Sequence, residues 1–333
     1  MDLFRRIFGK TGEEAPEKAQ ASKTIETNAI QSREVISDAI DASTRPVNPI
    51  ETGPLPERKI AMDGVTRPLA PEKVISKQNE HMTFGQSTDV GLVRSNNQDA
   101  ALTLFFTSRS SDERADFGLF VVADGMGGHQ HGEKASAIAT RIVASQVTNN
   151  IYLPILSNST SERPPITEAL IAAVQKANLE VIRYVEEGGT TITAVAVIGD
   201  LAYFAHVGDS RAYLITKDGM EQVTRDHSLV QRLIELDQLT KEESMEHPQR
   251  NVLYRALGQN EVLEVDTLTR RLPPNSRLLL CSDGLWNYVE EKDIFETVMN
   301  NPDPQQACDK LVAMANTNGG MDNVTAILLK INN

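Results

Sequence analysis

Beyond residue 80, apolar positions gather into short runs of strand length, at 117–123, 191–198, 201–207, 211–216, 277–281 and 323–331. The runs are rich in Val, Ile, Leu, Thr and Tyr, which suit a pleated, buried surface. Gly199-Asp200 separates two of them, and Lys217-Asp218-Gly219 follows a third. Links this short turn a strand back on its neighbour, so at least part of the sheet is predicted to be antiparallel. A helical period occupies 132–149, 166–185 and 304–316, with further helical character at 228–239. Neither GxGxxG nor GxxxxGKS/T occurs, which disfavours the nucleotide-binding βαβ folds.

Residues 11–80 have a different character. Seven of the 15 prolines fall within 16–71, among Gln, Thr, Glu, Ala and Ser and with few aromatic residues. A segment of that composition buries too little apolar surface to offset its ordering entropy, so a disordered linker is expected, with a transient helix around 22–42. Residues 1–10 place Leu3, Phe4, Ile7 and Phe8 on one helical face with Arg5, Arg6 and Lys10 elsewhere. That tip would suit peripheral docking on a membrane surface or a partner. The competing reading is a frayed terminus, since so short a helix is marginal in water. The folded domain is expected over 81–333.

Charge narrows the function. The net charge is −13, and residues 1–80 hold 12 Lys and Arg against 13 Asp and Glu, so about −12 belongs to the body. An acidic body argues against broad nucleic-acid binding, which needs a basic face, and is compatible with bound divalent cations. Cys281 and Cys308 have no metal-ligand or CxxC spacing and are expected to be buried and reduced. No run is long enough to span a membrane and the N-terminus has no apolar signal region, so a cytoplasmic location is expected.

Four aspartates share one kind of setting: Asp124 in Val-Val-Ala-Asp-Gly, Asp209 in His-Val-Gly-Asp-Ser, Asp283 in Leu-Cys-Ser-Asp-Gly and Asp322 in Gly-Met-Asp-Asn-Val. Each stands at the edge of an apolar run, where side chains project at a sheet rim. Asp-Gly alone is usually just a turn, as at Asp218-Gly219. Several carboxylates gathered at one rim need more than turn chemistry. At ~4 Å and an effective dielectric near 20, each unneutralised pair costs about 4 kcal/mol, so a cluster either protonates or binds hard cations. Oxygen-only ligands suit Mg²⁺ or Mn²⁺ better than structural Zn²⁺.

Read with their neighbours, these words form an ordered set: Val-Gly-Leu-Val-Arg94-Ser-Asn-Asn-Gln98-Asp99, Val-Ala-Asp124-Gly125-Met126-Gly-Gly-His, Val-Gly-Asp209-Ser-Arg, Thr-Arg-Asp226-His227-Ser, Leu-Leu-Cys-Ser-Asp283-Gly-Leu-Trp and Met-Asp322-Asn323-Val-Thr. Over about residues 83–331 the chain resembles the metal-dependent protein phosphatases of type 2C, bacterial branch. The resemblance implies an α+β fold, a four-layer α-β-β-α sandwich of two antiparallel sheets flanked by helices, with a two-metal centre at one end. It implies that Asp124 bridges two ions and that the Gly125 carbonyl binds one of them. Asp283 and Asp322 resemble ligands of the other. Asp99 would lie close by, and Asp209, with Asp283, would hold a weaker third ion. Arg94 resembles the family's phosphate-binding arginine, and residues 228–257 resemble the flap beside the site.

The implied reaction is hydrolysis of phosphoserine and phosphothreonine proteins, the substrates of a bacterial serine/threonine kinase, by a metal-activated water and without a phosphoenzyme. Two positions depart from the eukaryotic pattern: Gln98 stands where Glu is common, and Met126 where His is common. A thioether donates no proton to a leaving oxygen, which leaves a metal-bound water, His129 or His131 as candidate acids. A phosphoprotein-binding module on the same fold is the alternative. A haloacid-dehalogenase-like phosphatase would need a DxD pair after a strand-like run, and none follows one here.

Overall fold

The computed structural model describes residues 81–107, 115–128, 131–157 and 164–332. The amphipathic tip, the linker at 11–80 and His129 lie outside the described residues. The chain begins with β1 (Met82–Asp89), β2 (Asp99–Phe106), β3 (Phe117–Gly127) and α1 (His131–Val147), which continues through a wider π turn into α2 (Leu153–Leu156). Next come α3 (Ile166–Tyr184), β4 (Gly188–Thr190), β5 (Ile192–Ile198), β6 (Leu201–Val207), β7 (Arg211–Thr216) and β8 (Gly219–Gln222). After α4 (Leu229–Glu235) and α5 (Lys241–Glu246) follow β9 (Asp266–Arg271), β10 (Arg277–Cys281), α6 (Asp283–Trp286), α7 (Glu291–Asn300), α8 (Pro304–Thr317) and β11 (Val324–Ile331).

The strands form two sheets, in the orders β1-β11-β10-β7-β8 and β2-β3-β5-β6-β9, with β4 paired to the far end of β3. Every pairing is antiparallel. Period-two alternation sorts each strand's residues between two cores. In β3, Phe117, Leu119 and Val121 turn to α1 and α3, while Phe120 and Val122 enter the space between the sheets. In β10 and β11, Leu279, Cys281, Ala326 and Leu328 meet the helices α7 and α8, while Leu278, Leu280, Ile327 and Leu329 meet the other sheet. Layers of helix, sheet, sheet and helix result, the sandwich that the motif resemblance implies. Because both faces of the central strands are covered, these segments read as continuous apolar runs and not as alternations.

The predicted turn Gly199-Asp200 is a two-residue hairpin link, closed by the pair Ile198↔Leu201. Lys217-Asp218 is another, with Gly219 already paired to Thr216 as the first residue of β8. Periodicity does not predict the strands β1, β2, β4, β8 and β9 or the helices α2, α5, α6 and α7. β1 and β9 are outer strands with Gln, Ser, Thr, Asp and Arg among their residues, and α7 begins Glu-Lys-Asp.

Candidate metal centre

Asp124 sits inside β3, not at its end. The strand pairs with β5 over Phe117 to Val122 and with β4 over Gly125 to Gly127, so Asp124 occupies the point where it changes partner. The backbone there is fixed from both sides. Its N–H donates to Thr191 Oγ1 at 2.9 Å, and its carbonyl accepts from the Thr191 N–H at 2.8 Å and from Thr190 Oγ1 at 2.9 Å. Asp99, the first residue of β2, is its cross-strand neighbour. Gly125 is enclosed so closely that an added Cβ would lie 2.2 Å from the Gly132 carbonyl oxygen.

The other sheet supplies Asp283 and Asp322. β10 and β11 are adjacent and antiparallel, so the exit of one lies beside the entry of the other; Asp283 opens α6 two residues beyond the end of β10, and Asp322 lies two residues before β11. Gly284 permits this approach, since a Cβ there would stand 1.9 Å from the Asn323 carbonyl oxygen. Asp209 lies in the link between β6 and β7 and is buried.

Electrostatics show that these carboxylates share one region. Burial is the first cause of every shift. It pushes Asp99 up to about 7 against two hydroxyl donors, and Asp283 and Asp322 add repulsion. Asp124 is raised well above the usual range by burial, then by Asp99, Asp283, Asp209 and Asp322. Asp209 is raised by burial and by Asp283 and Asp226. Asp283 reaches about 6 through burial and the Asp322 charge, held down by a hydrogen bond with Asp124 and by Arg94. Two carboxyl groups can share a hydrogen bond only if one is protonated. Asp99 Oδ2 accepts from Ser282 Oγ and Thr325 Oγ1, both at 2.7 Å, whereas Oδ1 is buried with no hydrogen-bond partner.

That donor set fits a hard cation: oxygen atoms only, mutual repulsion awaiting a positive charge, and one buried acceptor unsatisfied. Among the described residues, no three His, Cys, Asp or Glu side chains already stand together as a metal-binding group. Hard cations also take backbone carbonyls and water as ligands, so a full set of side chains is not required.

Arg94 Nη2 donates to Asp322 Oδ2 at 2.7 Å, with the arginine side chain half exposed. Asn323 holds the loop that presents it. Its Nδ2 donates to the carbonyls of Val90 at 2.9 Å and Asn96 at 3.0 Å, and its Oδ1 accepts from the Gln98 N–H at 2.8 Å. From sequence Asn323 stands out only as the turn residue after Asp322, and Ser282, Thr325 and Thr191 do not stand out at all. Their signal was a polar residue beside or within an apolar run, which also fits ordinary strand residues.

The remaining candidates fall away from the cluster or beside it. Gln98 Nε2 donates to the Gly127 carbonyl at 3.2 Å, and Met126 is half-buried on β3. His131 opens α1 with Nδ1 3.1 Å from the Glu187 carbonyl. His206 is buried in β6 between Thr193 Oγ1 and the Arg225 carbonyl, and burial lowers it to about 3, so it is a neutral core residue as expected. Cys281 and Cys308 are both buried, and burial pushes both thiols up to about 12, which removes them as nucleophiles.

A two-sheet sandwich with a carboxylate cluster and an arginine at one rim defines the class, a metal-dependent phosphatase. The chain belongs to the protein phosphatase 2C family, whose model matches residues 86–324. It is 36% identical over 251 residues to the serine/threonine phosphatase stp of Listeria innocua, covering 74% of this chain and 94% of that one. Among solved structures it is similar to the PPM Ser-Thr phosphatase MsPP from Mycobacterium smegmatis in complex with cacodylate, at 35% identity and a TM-score of 0.61, with 76% of this chain and 99% of that one covered. The catalytic domain of the serine/threonine protein phosphatase PstP in complex with two manganese ions is also similar, at 30% identity and a TM-score of 0.60, with the same coverage of 76% and 99%.

Proposed function

We propose that this chain hydrolyses phosphoserine and phosphothreonine in proteins at a centre of two divalent cations, Mg²⁺ or Mn²⁺. Asp124, the Gly125 carbonyl, Asp283 and Asp322 would hold the pair, with Asp99 beside them and Asp209 joining Asp283 at a third ion. The observation that carries this reading is the mutual repulsion of the aspartates gathered beside Arg94. When bound, such cations supply Lewis acidity, making water nucleophilic near neutral pH and offsetting charge on phosphoryl oxygens.

The chain's own residues supply position. Asp124 is set by the Thr190 and Thr191 bonds, and Asp99 by the Ser282 and Thr325 hydroxyls, which leave Oδ1 as the acceptor still to be satisfied. Arg94 offers a planar fork suited to two phosphate oxygens, and the charge of Asp322 holds it at the rim until a phosphate competes for it. The binding-module alternative gains nothing from a cluster that destabilises the fold when no cation is present. Substrates on this reading are products of a serine/threonine kinase in the cytosol. No helix among the described residues is long and apolar enough to cross a membrane.

Phosphate release from a phosphothreonine peptide tests the proposal, with Mn²⁺, with Mg²⁺ and with chelator, for wild type and Asp283→Asn. Chelator abolishes turnover, and the variant loses about a hundredfold or more, the scale of losing one transition-state charge stabiliser. Turnover that survives chelation, or an undiminished variant, overturns it.

A further inference from the structure

Asp209 is held on both sides by a two-residue unit that the reaction described above leaves unused. Its neighbour Gly208 exchanges two hydrogen bonds with His227. The His227 N–H donates to the Gly208 carbonyl at 2.7 Å, and the Gly208 N–H donates to His227 Nδ1 at 3.0 Å. Because Nδ1 accepts, the neutral ring carries its proton on Nε2, which lies 3.1 Å from both Asp266 Oδ2 and Arg255 Nη1, themselves an ion pair. Gly208 itself admits no other residue, with φ at +114° and an added Cβ only 2.5 Å from the Thr191 side chain.

On the other side, Trp286 Nε1–H donates to the Asp209 carbonyl at 3.1 Å. The Arg211 guanidinium covers the indole, its central carbon 3.5 Å from a ring centroid. Asp226 in turn grips Arg211, accepting from Nε at 3.1 and 3.0 Å and from Nη2 at 2.7 Å. That ion pair is largely buried, and a buried pair of this kind tolerates little movement. Asp226 and His227 are consecutive. One dipeptide therefore fixes the peptide before Asp209 directly and the peptide after it through Arg211 and Trp286. The same dipeptide roots the 228–257 segment, since Ser228 caps α4 and the Tyr254 N–H donates to the His227 carbonyl at 3.0 Å.

We propose that Asp226 and His227 are positioning residues that set Asp209 for its divalent cation, acting through its backbone and tying the 228–257 segment to the metal centre. This rests on the reading of Asp209 as a cation ligand. Trp286 is the only tryptophan in the chain and stands between the Asp209 carbonyl and the Asp283 helix, so its emission reports on ions bound at either aspartate.

The test titrates the full chain with Mg²⁺, followed by tryptophan emission and by calorimetry, alongside the unfolding temperature. In wild type the emission shifts as Mg²⁺ saturates, and in Asp209→Asn the part of the shift that follows the weakest binding step is lost. Trp286→Phe keeps a ring under Arg211 but removes the N–H donor; the weakest Mg²⁺ step seen by calorimetry then weakens about fivefold, the worth of one ordinary hydrogen bond. His227→Ala weakens it comparably. His227→Asn, whose amide oxygen can take the place of Nδ1 as acceptor, restores most of the affinity although it also loses the Asp266 contact. Unchanged Mg²⁺ affinity in Trp286→Phe, or an Asn variant as weak as the Ala variant, overturns the clamp; the first result alone suffices if the His227 variants fail to fold. Wild-type turnover that resists chelator overturns instead the metal reading beneath it.

Discussion

Asp283→Asn should cost about a hundredfold or more in turnover and yet stabilise the metal-free protein, because the cluster works against the fold that holds it. Unfolded, Asp283 ionises near 3.8; folded, it ionises near 6. The raised folded value means that no stability is lost while both states are protonated. Stability then falls as pH climbs from 3.8 to 6, and the full penalty stands above 6. At 1.36 kcal/mol for each pH unit, the penalty has a ceiling of about 3 kcal/mol. Asp283 keeps part of its surface open to solvent, and screening reduces this to about 1–2 kcal/mol. Asn removes the charge and offers an N–H to the Asp124 carboxylate. In a domain of this size 1 kcal/mol is worth about 2–4 °C, so the variant should melt about 4 °C above wild type in chelator at pH 8. The gain should shrink to about a third near pH 4.5, between the two ionisations, and saturating Mn²⁺ should reverse the order by stabilising wild type more. Thermal and urea unfolding at the two pH values measure all three. A variant less stable than wild type at pH 8 in chelator, or equally stabilised at both pH values, refutes the repulsion argument.

Arg94→Lys keeps the charge and loses the planar fork, so kcat/KM for a phosphopeptide should fall by about one to two orders of magnitude. Its melting temperature should barely move, because the Arg94–Asp322 pair is half exposed; a stability loss above about 1 kcal/mol contradicts this. Asn323→Ala removes three hydrogen bonds that hold the 90–98 loop. At about 1 kcal/mol each, urea unfolding should show a loss of about 3 kcal/mol, with a raised KM as Arg94 loosens. Deleting residues 1–80 should leave peptide turnover intact, since the family match begins at Gln86; collapse of activity would place part of that segment in the catalytic body.

The legible parts of this molecule were those in which a physical signal accumulates along the chain. β3, β5, β6, β7, β10 and β11 are covered on both faces, so nearly every position is apolar and the runs announce themselves. β1 covers only part of its surface, and Met-Thr-Phe-Gly-Gln-Ser-Thr-Asp reads equally well as a loop. The aspartates were visible because each carries its own Gly or Asn. Ser282 and Thr325 were not, because their importance comes from register: the β10–β11 pairing sets both hydroxyls against the same oxygen of Asp99, which lies in the other sheet. No local window contains that fact.

The change of partner in β3 has a kinetic consequence. Asp124 is carried on a central strand whose neighbours must separate before it can move, and separating them means opening the sandwich core on both faces. Thermal agitation that frays the 228–257 segment or the outer strands leaves this carboxylate where it was. Inactivation by heat or denaturant should therefore occur in one step with global unfolding, and the Asp124 amide should exchange its hydrogen as slowly as any in the protein.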